Sequence, residues 1–155
     1  RHPKARFLCP DMAGEDQALR WIKELGIESA VEISPKVSME EMATLFRKAA
    51  IAVSPSTHDG TPNTLLEALA CGCFPVVGDI EPLREWITDG ENGFLIDPAD
   101  PLELSEAICE SLENSELRAQ AQKKNARLIA ERAEYNGAMR QAEEFYQSLM
   151  GSVSG

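Results

Sequence analysis

The chain has 155 residues, a formal net charge of −11, 43% hydrophobic and 26% charged residues. That balance fits one globular domain with a single core and argues against a disordered chain. The bases are scattered, with only Arg47-Lys48 and Lys123-Lys124 adjacent, so nucleic acid is not expected as a partner.

In chain order, the first apolar run is ARFLC (5–9), which reads as a strand. Glu15 to Leu25 places Ala18, Leu19, Ile22 and Leu25 on one helical face, and Gly26 stops it. AVEIS (30–34) is the second strand. Met39 to Ala49 follows Ser38, with Glu41 three residues on, which is a capping box. IAVSP (51–55) is the third strand. Asn63 to Ala70 is helical, with Thr61 as cap, Pro62 at the first position and Gly72 as stop. FPVVG (74–78) is a strand, Pro82 to Thr88 a short helix, DGENG a turn and GFLID (93–97) the last strand. Three helices follow without strands between them: Leu102–Leu112, Glu116–Arg132 and Tyr135–Leu149. Residues 1–149 read as one domain and 150–155 as a disordered tail.

Strands separated by helices imply parallel strands joined by right-handed crossovers, a doubly wound α/β sheet. Ligands of such sheets bind at the carboxyl ends of the strands. That places Pro55–Asn63 at the site, with Pro10–Gly14, Ser34–Val37 and Gly78–Pro82 on the same edge.

At that edge, the first backbone N–H groups of the 63–70 helix, those of Asn63, Thr64 and Leu65, form an anion site at the positive end of the helix dipole. Gly60 clears space for a ligand. Glu67 stands among Leu65, Leu66, Ala68, Leu69 and Ala70. A buried charge without a partner costs several kcal/mol. So Glu67 either pairs internally, for instance with Arg84, or stands on a helix less buried than its composition suggests, or reaches the cleft and accepts two hydroxyl hydrogen bonds from a ribose diol. Asp59 reads from pattern as a turn residue, His58, Pro35 and Lys36 as loop, and Asn63 and Thr64 as ordinary first-turn residues.

Cys71-Gly72-Cys73 has one residue between its thiols where a zinc ribbon or redox motif has two. His2 and His58 are far apart. Cys9, Cys71, Cys73 and Cys109 are therefore expected as reduced thiols serving as small core residues, with no metal site.

SPSTHDGTPNTLLEALACGCFPVVG followed by REWITDGENGFLIDPADPLELSEAI resembles the C-terminal domain of GT-B glycosyltransferases, closest to the retaining "glycosyl transferase group 1" enzymes. The resemblance runs from about Pro3 to Leu149. It implies a Rossmann-like donor-nucleotide domain that moves a sugar from a nucleoside diphosphate sugar to an acceptor hydroxyl with retention. It implies no cofactor and no metal. Asp59 and Glu67 match the family's two acids. Glu67 corresponds to the one that holds the ribose, and Asp59 to one that is usually Glu and contacts the donor sugar. Gly60, Asn63, Thr64 and Leu65 fall where the backbone meets diphosphate and sugar, and Pro35 and Lys36 lie in the segment that meets the base.

CPDMAG departs from the Gly-x-Gly that often follows the family's second strand, and the chain begins at what resembles that strand. The domain's first strand and helix, with its diphosphate-neutralising Arg and Lys, and the N-terminal acceptor domain are thus expected to be absent. RHPKARFLCPD has no signal-peptide core and no initiator Met, so a fragment of a cytoplasmic protein is expected. Membrane contact, peripheral at an inner face, is expected only of the full-length enzyme. The isolated chain is expected to self-associate through open sheet edges. The alternatives are a non-catalytic nucleotide or protein binding module on the same fold, or a related nucleotide-sugar epimerase or phosphorylase.

Overall fold

A computed structural model describes residues 2–58, 63–133 and 137. The expected helix 135–149, Gly137 apart, and the expected tail lie outside the described residues. The chain divides into two compact units, Arg1–Leu45 and Phe46–Gly155.

In the first unit, strand β1 (Phe7–Cys9) runs parallel to β2 (Val31–Ile33), with Phe7 opposite Val31 and Cys9 opposite Ile33. Helix α1 (Asp16–Glu24) links them, and Gly26 follows it in the left-handed region at φ 64°. The apolar face foreseen on α1 buries no residue fully: Leu19 and Leu25 are 46% and 70% exposed. A two-stranded sheet is too narrow to cover it. Helix α2 (Met39–Lys48) starts on the foreseen capping box. The Glu41 N–H donates to Ser38 Oγ at 3.2 Å, and the Ser38 N–H donates to Glu41 Oε2 at 2.8 Å.

The second unit holds β3 (Ile51–Ser54), β4 (Phe74–Gly78) and β5 (Phe94–Ile96), parallel and in that spatial order. The strands are parallel and joined by helical crossovers, as foreseen. However, the pairing forms two sheets and not one: β1 pairs only with β2, and β3 only with β4, among the described residues.

β4 is buried along its whole length, although it carries a proline at its second position. The Phe74 N–H donates to Ala50 O on the β3 side, at 3.1 Å. Alternation then turns the nitrogen of Pro75 toward β5. The β5 ladder begins only at Val76, opposite Phe94, so no bond is lost. The Pro75 ring fills the space beside Gly93, where a Cβ would lie 2.5 Å from Pro75 Cγ.

The two faces of β4 feed two apolar clusters. Val77 packs with Leu65, Leu69, Leu83 and Ile87. Phe74 and Val76 pack with Ile96, Ala107 and Ala121. The helices of this unit are α3 (Asn63–Ala70), α4 (Glu81–Arg84), α5 (Pro101–Glu113) and α6 (Ser115–Arg132). α4 is one turn, where the sequence pattern suggested 82–88; the Thr88 N–H instead donates to Asn92 Oδ1 at 2.7 Å. Asp100 caps α5, accepting from the Leu102 and Glu103 N–H groups, and Asn114 caps α6.

α6 reads as a polar surface helix, yet it crosses the unit and is pinned by a buried amide pair. Asn92 Nδ2 donates to Trp86 O and to Asn125 Oδ1 at 2.9 and 2.7 Å. Asn125 Nδ2 returns a bond to Asn92 O at 2.9 Å. Lys124 pairs with Glu91 close by, and the Arg132 guanidinium lies 4.4 Å over the Trp86 ring.

Candidate functional site

α3 starts beyond the carboxyl end of β3, as the sequence foresees, and its own packing sets which side faces out. Leu65, Ala68 and Leu69 are 5%, 1% and 1% exposed and form the buried arc. At about 100° per residue, Asn63 and Glu67 share the opposite arc, four positions apart. Asn63 and Thr64 are exposed and Glu67 is half-buried. The first N–H groups of any α-helix lack intrahelical acceptors, which leaves those of Asn63, Thr64 and Leu65 one turn from the Glu67 carboxylate. Asp59 and Gly60, with the foreseen cap Thr61 and Pro62, lie outside the described residues.

The alternative partner for Glu67 is engaged elsewhere. Arg84 donates through Nε and Nη2 to both oxygens of Asp79, at 2.6 and 2.8 Å. These hydrogen bonds, opposed in part by desolvation, hold the Asp79 carboxyl below the usual carboxylate range. A bidentate pair fixes the guanidinium in the plane of that carboxylate. The Glu67 carboxylate makes no hydrogen bond or ion pair to a described residue. The internal pair with Arg84 is therefore corrected: a loop acid five residues before it takes that arginine.

Pro35 and Lys36 belong to the first unit, exposed between the end of β2 and the capping Ser38. There the Ser34 carbonyl accepts from the Met12 and Ala13 N–H groups at 3.1 and 3.2 Å. The Asp11 N–H donates to Pro35 O at 3.4 Å. Asp11 adopts φ 64°, a conformation that aspartate tolerates better than most residues. Asp11 thus makes the turn in the segment where the resembled family often has Gly-x-Gly.

All four cysteines are free. Only Cys73 is a core residue, at 1% exposure; Cys9, Cys71 and Cys109 are half-buried, so the expectation of four core thiols is corrected. The Cys73 thiol donates to Phe46 O at 3.0 Å. Burial, with a smaller contribution from Cys71, pushes its pKa up to about 11. Among the described residues no group of three or more His, Cys, Asp or Glu side chains is placed to hold a metal ion. No helix of the described residues is long and apolar enough to cross a membrane. A cavity of about 460 Å³ lies along α6, and none of the foreseen site residues lines it.

A parallel α/β arrangement with a helix starting beyond the carboxyl end of a strand defines a Rossmann-like type of domain. The family model described as glycosyl transferases group 1 matches residues 4–128, and the chain belongs to that family. It is 31% identical over 135 residues to a D-inositol 3-phosphate glycosyltransferase of Paenarthrobacter aurescens (strain TC1), covering 87% of this chain and 32% of that protein. The chain thus spans about a third of that relative's length. Among solved structures, a glycosyltransferase from Rickettsia africae ESF-5 superposes with a TM-score of 0.87 at 18% identity, over 97% of this chain and 41% of that one. Anabaena Alr3699/HepE in complex with UDP gives 0.84 at 19% identity, over 94% and 42%. Its complex with UDP-glucose gives 0.82 at 21% identity, over 94% and 42%. The fold is that of GT-B glycosyltransferase structures.

Proposed function

We propose that this chain is the donor-binding half of a glycosyltransferase that moves a sugar, with retention, from a nucleoside diphosphate sugar to an acceptor hydroxyl. The observation that carries the reading is Glu67: a half-buried acid without a described partner, on the outward arc of α3, one turn behind N–H groups that lack intrahelical acceptors. A carboxylate so placed suits two hydroxyl donors on adjacent carbons, such as a ribose diol. The N–H groups of Asn63, Thr64 and Leu65 suit the adjoining diphosphate. Family membership supports the reaction class, and the structural neighbour's complexes with UDP and UDP-glucose support a nucleotide-sugar donor.

Charge builds on the leaving diphosphate as the glycosidic bond breaks. Preorganised N–H dipoles at the helix start stabilise that charge without reorganising, a metal-independent form of electrostatic catalysis. Asp59 meets the donor sugar, one methylene shorter than the Glu usual there, and Gly60 leaves room for it. The remaining diphosphate-binding cations and the acceptor site belong to an N-terminal portion outside these residues.

The test is turnover of a panel of nucleotide-sugars by the 155-residue chain and by the full-length protein. The expected result is transfer by the full-length protein only, with weak donor binding by the short chain. Comparable rates from the two would overturn the half-site reading. A full-length protein that binds a nucleotide-sugar yet neither transfers nor hydrolyses it would make this a binding module.

A further inference from the structure

Gly78, the last residue of β4, is buried, and its conformation does not itself call for glycine, since its φ lies outside the left-handed region. Its neighbour does. The last β3–β4 pair is Ser54 with Val77. Beyond it the chain leaves β3 and passes over Gly78. A Cβ on residue 78 would lie 2.2 Å from the Ser56 carbonyl oxygen, 3.2 Å from its carbon and 3.3 Å from the Ser56 nitrogen. All three are backbone atoms, so no side chain can swing aside.

The two sides of this contact differ in stiffness. Gly78 is paired in register with Ile96, and the next N–H, of Asp79, donates to Ile96 O at 2.8 Å. Asp79 is in turn held by Arg84. Ser56 is half-buried and flanked by exposed Pro55 and Thr57, tied back by an Oγ···Oγ contact of 3.2 Å to Ser54. Any added bulk at residue 78 would therefore displace the Ser56 segment, by roughly 1 Å before ordinary contact distance is restored. Misplacement on that scale costs up to about a hundredfold in rate when it falls on a reacting geometry, and hydrogen bonds to a bound ligand weaken with the same loss of alignment.

We infer that Gly78 is a positioning residue for donor binding: its missing side chain admits the Ser56 carbonyl and so sets where the chain stands as it leaves the carboxyl end of β3. This rests on the donor-binding reading given above.

The test is Gly78→Ala in the full-length protein, with UDP titrated calorimetrically and thermal unfolding followed in parallel. The control is Gly93→Ala, whose Cβ would press on Pro75 Cγ at 2.5 Å and Ile87 Cγ2 at 2.9 Å. The control is expected to lower Tm and leave the UDP Kd within twofold. Gly78→Ala is expected to raise that Kd tenfold or more, with a Tm loss no greater than the control's. A Kd within twofold of wild type overturns the inference. If Gly78→Ala does not fold, Ser54→Ala decides. It removes the tie on Ser56 from inside β3 and is expected to raise the Kd about threefold at unchanged Tm; an unchanged Kd overturns the inference. A wild-type protein that binds none of UDP, GDP and ADP overturns the donor reading and this inference with it.

Discussion

Glu67→Gln separates a ligand-binding acid from a structural one. Glutamine keeps the length, volume and helix propensity of glutamate. Because the carboxylate has no hydrogen bond or ion pair to a described residue, there is no internal interaction to break. The expected stability change is below about 0.5 kcal/mol, and Tm should move by less than about 2 °C. Binding should respond differently. Two hydroxyls donating to a carboxylate become two hydroxyls facing one amide oxygen and one amide donor. Loss of such charge-assisted bonds costs about 1–3 kcal/mol. One effect opposes it, because removing a negative charge relieves repulsion of the diphosphate. For a dianion roughly 7 Å away, a little over one helical turn, that relief is about 1 kcal/mol in water, and physiological salt halves it. The net loss for UDP is then about 0.5–2.5 kcal/mol, centred near a tenfold rise in Kd. Uridine carries no phosphate and should show the loss undiminished. Calorimetric titration of both ligands into wild-type and variant full-length protein makes the comparison. If both ligands bind the variant within twofold of wild type, or if Tm falls by many degrees, Glu67 is a structural residue and the argument from its missing partner is wrong.

Three further outcomes follow from interactions described above. Asn125→Ala deletes two buried hydrogen bonds, of 2.7 and 2.9 Å, and leaves the Asn92 carbonyl and one amide hydrogen unmatched; urea unfolding should show a loss of about 2–4 kcal/mol, and a loss under 1 would refute the clasp. Alkylation of the native chain at pH 8 should spare Cys73, whose thiol at about 11 against an ordinary 9.0 has roughly a hundredfold smaller thiolate fraction; denatured without reductant, the chain should show four reactive thiols, and two or fewer would mean a disulfide. Asp79 has a folded pKa below its unfolded one, so its contribution to stability is complete above the unfolded pKa and disappears as pH falls through the folded one. Arg84→Gln should therefore flatten the fall in stability between about pH 5 and pH 2, and an unchanged acid limb would count against the ion pair as its cause.

The five strands were legible because each is a short apolar run bounded by turn residues, and Ser38 with Glu41 announced α2 through chemistry confined to four residues. Glu67 was legible because a charge in an apolar run requires an explanation. Its freedom from Arg84 was not, because a bidentate pair on a short loop outcompetes a contact across elements, and sequence spacing does not rank the two. Asn92 and Asn125 were invisible for a related reason: they are 33 positions apart, each in a polar stretch, and only tertiary packing desolvates them together. α6 buries Ala121 and Asn125, small or polar residues that give no apolar stripe. Pro75 pointed away from a central strand, and only the late start of the β5 ladder accommodates it. The division into two sheets is a matter of which edges find partners, and hydropathy is silent on pairing.

The same packing explains why an acid can persist in the middle of α3. Leu65, Ala68 and Leu69 are at most 5% exposed, and they fix the rotation of the helix about its axis. A helix anchored on three core side chains cannot turn to give Glu67 full hydration. Nor can it turn far enough to bury the carboxylate in apolar surroundings, where it would lose several kcal/mol. The residue is left half-buried, with two acceptor oxygens that no described residue engages. A ligand that brings two hydroxyls recovers hydrogen bonds that neither the protein nor bulk water fully supplies, so binding gains from a defect that folding alone leaves in place. A phosphate at the same spot would gain nothing, because it adds like charge in a chain of net charge −11. On the proposed function, the outward arc of α3 divides its selectivity by depth. Its N–H groups favour an anion at the helix start, and Glu67 one turn later favours neutral hydroxyls and rejects a second anion. A nucleoside diphosphate presents those two chemistries side by side, diphosphate and ribose. Inorganic pyrophosphate presents only the first, and for that reason it should compete poorly with UDP at this site.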